Sequence, residues 1–197
     1  MAEGAYRSQI ALFDELVGER VIVRPYRPED AAAHFAAVEQ SRAYLEPWLP
    51  WVTSYHSVAD SRDYIARIQA HWLLRDEIGL AIFDQQTGAY LGGTGLHPRT
   101  WETRVFEIGY WLRVTAAGHG YMAEAVRMLT DFAFERLDAQ RVFIRCDARN
   151  DRSANVARRL GFVPEARLRN EMFGQDGNLR DTLIFALIPS DARPWHV

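Results

Sequence analysis

The chain has 197 residues, with 23 basic side chains against 26 acidic ones and a formal net charge of −3. Every basic residue is an arginine; there is no lysine. That excludes Schiff-base chemistry, a GxxxxGK[ST] phosphate loop and a protein-kinase site, each of which needs a lysine amine. The length fits one domain. A composition of 48% hydrophobic and 12% aromatic residues is enough for a packed core and unlike that of a disordered chain. The nearly balanced charge gives no basic footprint for nucleic acid. Cys146, the single cysteine, has no partner for an internal disulfide, which fits a reducing, cytoplasmic setting. The first residues carry acids and lack an apolar signal core, and no apolar run approaches the roughly 18–20 residues of a membrane span.

In chain order, the stretch to Gly18 reads as an arm, residues 19–188 as one domain and residues 189–197 as a tail. Arg20 to Tyr26 alternates polar and apolar residues, which predicts a strand. Pro28 suits the first turn of a helix, with Glu29 and Asp30 near its positive end and Ala31, Phe35 and Val38 at helical spacing. Pro47 and Pro50 break the next segment into a loop. Ser57 and Asp60 have capping-box spacing ahead of a helix faced by Ile65, Ile68 and Trp72. A hairpin turning at Thr87-Gly88 follows, then a strand over Val105 to Leu112. Met122, Ala125, Val126, Leu129, Phe132 and Ala133 form a continuous helical stripe. A buried strand around Cys146, a short helix ended by Gly161, and two strands joined around Gly174 to Gly177 complete the chain. The order β-α-α-β-β-β-α-β-α-β-β predicts an α/β fold with a mixed sheet, because three strands follow one another before a crossover helix.

The glycine-rich turn ahead of the long helix carries the chemistry. Gly118 and Gly120 lead into a helix N-terminus, where unpaired backbone N–H groups and the helix dipole favour a phosphate or pyrophosphate. The same residues satisfy G-x-G-x-x-A, a dinucleotide fingerprint, but Arg113 to Ala117 separate the turn from its strand and the neighbouring hairpin is antiparallel. A plain structural turn is the third reading.

The segments EIGYWLRVTAAGHGYMAEA and RCDARNDRSANVARRLGFVPEARLRN resemble the GNAT acyltransferases, and within them the RimJ/RimL branch that acetylates protein N-terminal amines. The resemblance runs from about Arg20 to Ile188. It implies a single-domain GNAT fold, with a central, mixed, mostly antiparallel and splayed sheet flanked by helices. It implies acetyl-CoA as co-substrate, no metal, and a homodimer as the assembly. The family's Q/R-x-x-G-x-G/A motif falls on Ala117, Gly118, His119, Gly120, Tyr121 and Met122. Ala117 and Met122 depart from it at the first and last positions. By resemblance, acyl-CoA also lies along Trp111, Leu112, Arg113 and Val114, with Asn150 supporting the pantetheine arm. Arg158 and Arg159 are the candidates for a CoA phosphate, since guanidinium binds phosphate bidentately.

Transfer from a thioester to an amine needs a base, oxyanion donors and a leaving thiolate. The resemblance puts the oxyanion donors on the backbone of the strand ending Tyr110-Trp111-Leu112. It makes Glu107 the first candidate base and Glu171 the second, although an ungapped count lands on Met172. Ser153 is the implied acid for the thiolate. Asn150 and Ser153 also read as the cap and first turn of their helix. A salt bridge to Arg104 or Arg24 is the structural alternative for Glu107. Tyr44, Trp48 and Trp51 are expected to wall the acceptor pocket or to pack beneath its loop. The resulting expectation is direct acetyl transfer to a primary amine, a protein N-terminal α-amine before a small-molecule amine. A non-catalytic acyl-CoA sensor is the rival from another class.

Overall fold

The computed structural model describes residues 10, 11 and 13–196. The chain runs β1 (Leu16–Val17), β2 (Val21–Pro25), α1 (Ala31–Leu45), α2 (Val58–Leu74), β3 (Ile78–Asp84), β4 (Tyr90–Thr100) and β5 (Val105–Leu112). It continues through α3 (Tyr121–Arg136), β6 (Arg141–Asp147), α4 (Asp151–Arg159), β7 (Val163–Phe173) and β8 (Leu179–Leu187). The expected order recurs with one addition, the two-residue β1, which pairs with β2 from within the arm. Within that arm, residues 1–9 and 12 lie outside the described residues.

The eight strands form one sheet in the order β1-β2-β3-β4-β5-β6-β8-β7. Every neighbouring pair is antiparallel except β5 and β6. Helices cover both faces, so the sheet separates two apolar layers. One lies under α3 and α4 and contains Phe106, Ile108, Leu129 and Ile144. The other lies under α1 and α2 and contains Val38, Ile65, Ile68 and Trp111. The six-residue stripe of α3 is buried throughout, as its spacing requires.

Local chemistry sets the element ends. Asp60 N donates to Ser57 Oγ, and Ser57 N donates back to the Asp60 carboxylate at 2.7 Å, closing the capping box of α2. The helix ends on Arg75 in the left-handed conformation. Where a loop was expected after Tyr44, α1 continues to Leu45 and Pro50 opens a 3-10 turn to Ser54. On the inward face of α1, Ala31 and Val38 are buried as expected, but His34 takes the place expected of Phe35. A side chain at Gly79 or Gly93 would collide with Ile68 or with Tyr26 and Trp111, so bare backbone lets α2 and these aromatics approach the sheet closely. Among the described residues no helix is long and apolar enough to cross a membrane.

His34 sits inside a cage of Tyr26, Tyr55, Tyr64, Tyr90 and Trp111. Its Nδ1 lies 2.8 Å from Ser61 Oγ. Burial drives its pKa down from 6.5 to about 4, against a smaller opposing pull from Asp30. Above pH 6.5 the ring is neutral in both folded and unfolded chains. Below it the unfolded chain takes up the proton first, so stability falls as pH drops from 6.5 towards 4. Between pH 7 and 5 this one group should remove about 2 kcal/mol. Denaturant midpoints at the two pH values should show that loss in the native chain and a flatter response in His34→Gln.

Candidate active site

The parallel pairing of β5 with β6 lasts for three residue pairs, Val105–Arg141, Phe106–Val142 and Glu107–Phe143. Beyond them β5 stays with β4 as far as Leu112, and β6 stays with β8 as far as Asp147. The two strands therefore splay, and a cleft of about 710 Å³ opens between them. Gly120, Met122 and Ala123 at the start of α3 line it, as do Asn150 and Ser153 at the start of α4. Two helix N-termini thus meet at one opening in the sheet.

Gly118 and Gly120 both take positive φ, 84° and 83°, which bends the backbone around the mouth of α3. A Cβ at Gly118 would meet nothing within 4 Å, so the approach to this turn is open. The first N–H groups of α3 have no partner within the helix and make an anion-binding end. Arg20 braces the turn from behind. Its Nη1 donates to the His119 carbonyl at 2.9 Å, and its Nε donates to Glu124 Oε2 at 2.9 Å. Glu124 is buried in the first turn of α3. Burial opposes its ionisation, but donors from Arg20 and Val21 hold the carboxyl below its usual range. Its charge is therefore matched by Arg20 beside the turn.

Strand alternation puts Glu107, Gly109 and Trp111 on the α1–α2 side and Phe106, Ile108 and Tyr110 on the other. Glu107 lines the cleft. Its ion-pair partner is Arg99, through Nε and Nη2, both on Oε2. The two arginines suggested by sequence are engaged elsewhere, Arg24 with Asp30 and Arg104 with Asp138. Ser153 also lines the cleft, and Tyr110 Oη lies 3.0 Å from its Oγ. Burial raises the Tyr110 pKa, partly offset by this hydrogen bond. Asn150 Oδ1 accepts from Ser153 N at 3.1 Å, so Asn150 caps α4 while facing the cleft. Cys146 lies on the same wall with its thiol pKa pushed up by burial, which opposes thiolate formation. Tyr44, Leu45, Trp48 and Leu49 wall the opposite side, with the Arg152 guanidinium 5.1 Å over the Tyr44 ring.

The cleft brings together most of the residues expected there: Glu107, Trp111, Leu112, Ala117, Gly118, Gly120, Met122, Asn150, Ser153, Arg159, Tyr44 and Trp48 all line it. Others point away. Glu171 is bonded to Arg145 and to Thr182, and it is Arg145 that reaches the cleft. The register of β7 shifts between Leu168 and Met172, where Asn170 adopts φ 53°. Arg158 bonds Asn155 and lies over the Phe185 ring, leaving Arg159 on the cleft. Arg113 bonds Gln40, and Val114 N donates to Ser41 Oγ, so both serve the contact with α1. His119 stacks on Tyr121, whose hydroxyl donates to Asp84. Trp51 packs against Tyr55 and Trp111.

Sequence reasoning did not single out the Tyr110 side chain, because alternation placed it on the face away from Glu107. A splayed pair exposes both faces to one cleft, which only the sheet register shows. The available signal was a tyrosine hydroxyl in an apolar strand, a group that needs a partner when buried. Arg20 and Arg99 were missed because they stand outside both motif segments, and Arg145, which opens the second segment, because its pairing with Glu171 shows only in the folded sheet.

This geometry agrees with comparison to known proteins. The acetyltransferase (GNAT) domain profile matches residues 20–163. The Bacillus subtilis (strain 168) protein YdaF, named as a ribosomal N-acetyltransferase, is 30% identical over 187 residues, covering 93% of this chain and 98% of its own. RimL, the ribosomal L7/L12 α-N-protein acetyltransferase solved with coenzyme A, superposes with a TM-score of 0.82 at 23% identity, over 88% of this chain and 96% of its own. Mycobacterium smegmatis RimJ, solved with a CoA disulfide, gives a TM-score of 0.79 at 25% identity, over 89% of this chain and 86% of its own. The splayed sheet with its glycine turn is thus a GNAT domain, and the chain belongs to the GNAT family of acetyltransferases.

Proposed function

We propose that the protein moves an acetyl group from acetyl-CoA directly to a protein N-terminal α-amine. The observation that carries this reading is the cleft itself. It joins a glycine turn at a helix N-terminus to an aromatic wall, across two strand edges that have stopped pairing with each other. Unpaired strand edges offer N–H and C=O groups to an amide-bearing arm. The turn at Gly118 to Gly120 fits a pyrophosphate, with Arg159 near enough to the cleft to meet a further phosphate. The names of the relatives support a protein amine as acceptor.

In this reading the donor lies along β5, whose backbone N–H groups stabilise the oxyanion. Glu107 draws the acceptor's ammonium to the acyl carbon. Once the ammonium has given up a proton, the neutral nitrogen attacks, the C–S bond breaks, and Ser153, hydrogen-bonded to Tyr110, gives its proton to the departing thiolate. Ser153→Ala should lower kcat about tenfold or more with little change in the KM for acetyl-CoA. Gly120→Ala forces a side chain into the left-handed region beside Arg20, and should raise that KM about tenfold.

The acceptor class is tested with acetyl-CoA and a panel of peptides beginning with free Ser or Ala, polyamines and aminoglycosides, followed by thiol release and mass spectrometry. Peptides modified on the α-amine are the expected products. Preferential modification of the small amines would replace the acceptor, and an absence of acetyl-CoA binding would remove the reading.

A further inference from the structure

A second titratable pair, outside every motif, stands one strand behind the cleft, against residues that line it. His97 lies on β4, directly opposite Glu107 of β5. Directly paired residues share a face with β-carbons about 5 Å apart. His97 therefore faces the α1–α2 side, as Glu107 does. Its Nδ1 is 3.2 Å from Oε1 of Glu77, the residue between α2 and β3. That contact orients the ring and leaves Nε2 as the free end. A Cβ at Gly109 would lie 2.8 Å from Nε2, so the imidazole rests on the bare backbone of a residue that lines the cleft. The arrangement has the parts of an oriented base: an imidazole, a carboxylate on its far nitrogen and a near nitrogen against Gly109, which lines the cleft.

Glu107 is less suited to the same task. Its Oε2 already takes two donors from Arg99, so that oxygen is engaged before an acceptor arrives. From the acyl-transfer reading above, we infer that His97, oriented by Glu77, accepts the proton from the acceptor's ammonium, while Glu107 holds that ammonium in place. In the step, Nε2 takes one N–H proton, directly or through one water. The neutral nitrogen forms the bond to the acyl carbon, and the C–S bond then breaks. The nitrogen's second proton is lost as the amide forms and replaces the one given to the thiolate. The proton on His97 passes to solvent.

Several groups face this pair. Glu77 adjoins Nδ1, and Glu107 stands opposite on β5. Arg99 lies two residues along the same face of β4, and Tyr64, Arg67 and His71 of α2 act on Glu77. The hydrogen bond from His97, opposed by burial, keeps the Glu77 carboxyl below its usual range, so the orienting partner is charged at neutral pH.

The test compares wild type with His97→Gln, His97→Ala, Glu77→Gln and Glu107→Gln. Acetyl-CoA affinity is read by calorimetry, and folding by thermal melting. Turnover is followed across pH with the fastest acceptor of the panel or, where none is acetylated, as acetyl-CoA hydrolysis with water as nucleophile. His97→Gln should lose about 100-fold in kcat while acetyl-CoA affinity stays within about threefold. Its alkaline-rising limb should change shape, Glu77→Gln should lose less, and added imidazole should restore turnover to His97→Ala but not to Glu107→Gln. Wild-type kcat and pH profile in His97→Gln would overturn the proposal. So would a loss matched by weaker acetyl-CoA binding, or an absence of imidazole rescue. A wild type that binds acetyl-CoA but neither transfers nor hydrolyses the acetyl group would also overturn it. A wild type that binds no acetyl-CoA would fail earlier, at the acyl-transfer reading itself.

Discussion

The separation of β5 from β6 after Glu107 and Phe143 is the constraint on which the site depends. A continuous sheet would pair every backbone group internally and leave no opening at its centre. Here each strand keeps its outer neighbour, so the sheet remains held together on both sides of the gap. The inner edges of β5 and β6 then face one another as unpaired donors and acceptors. In a free monomer such edges would be a liability. Placed in mid-sheet and flanked by the starts of α3 and α4, they are shielded from other chains and accessible to a slender ligand.

Electrostatics follow from the same opening. Two helix N-termini bring partial positive charge to the cleft. An acidic side chain in the first turn of α3 would weaken that effect, yet Glu124 sits there and is buried. Arg20 resolves the conflict by meeting Glu124 with its backbone N–H and its guanidinium while bonding the His119 carbonyl. The absence of lysine matters in this setting. A guanidinium bonds two groups at fixed angles, as Arg20 does with Glu124 and the His119 carbonyl, whereas an ammonium offers a point charge. With no lysine of its own, the protein also has no side-chain primary amine to compete as an acceptor.

The fold was legible wherever a side-chain period or a turn chemistry repeated. The stripe of α3, the Ser57–Asp60 box and the glycine turn were read where they stand. The exceptions have local causes. The period of α1 was anchored on Phe35, because phenylalanine is the more apolar residue. The structure buries His34 instead, since Ser61 and a ring of aromatics satisfy it. The two residues of β1 are too few to show any alternation. Site residues were legible within the two motif segments and in the aromatic loop of Tyr44 and Trp48, and not where strands meet across the sheet. Counting along β7 lands on Met172 and reaches Glu171 only with a one-residue shift, and the register of that strand itself shifts between Leu168 and Met172, around Asn170. Arg99 and His97 stand on β4, outside both segments, and only their pairing with β5 brings them beside Glu107.

That pairing gives Gly109 a meaning that the turn glycines do not share. At Gly118 and Gly120 glycine is needed for positive φ. At Gly109 the backbone is ordinary strand, and a glycine there weakens the strand by roughly 0.5–1 kcal/mol relative to alanine. What the missing side chain provides is space, and the group occupying it is an imidazole whose other nitrogen is held by a carboxylate. A histidine retained only for packing would be served equally well by an apolar side chain with no acid behind it. The opposed Glu107 and the oriented His97 divide two tasks that conflict in a single group. Holding a cation requires a stable negative charge, and removing its proton requires a base that can become positive and then release the proton. β4 and β5 stay paired past the point where the sheet divides, and that pairing sets His97 beside a Glu107 that lines the cleft.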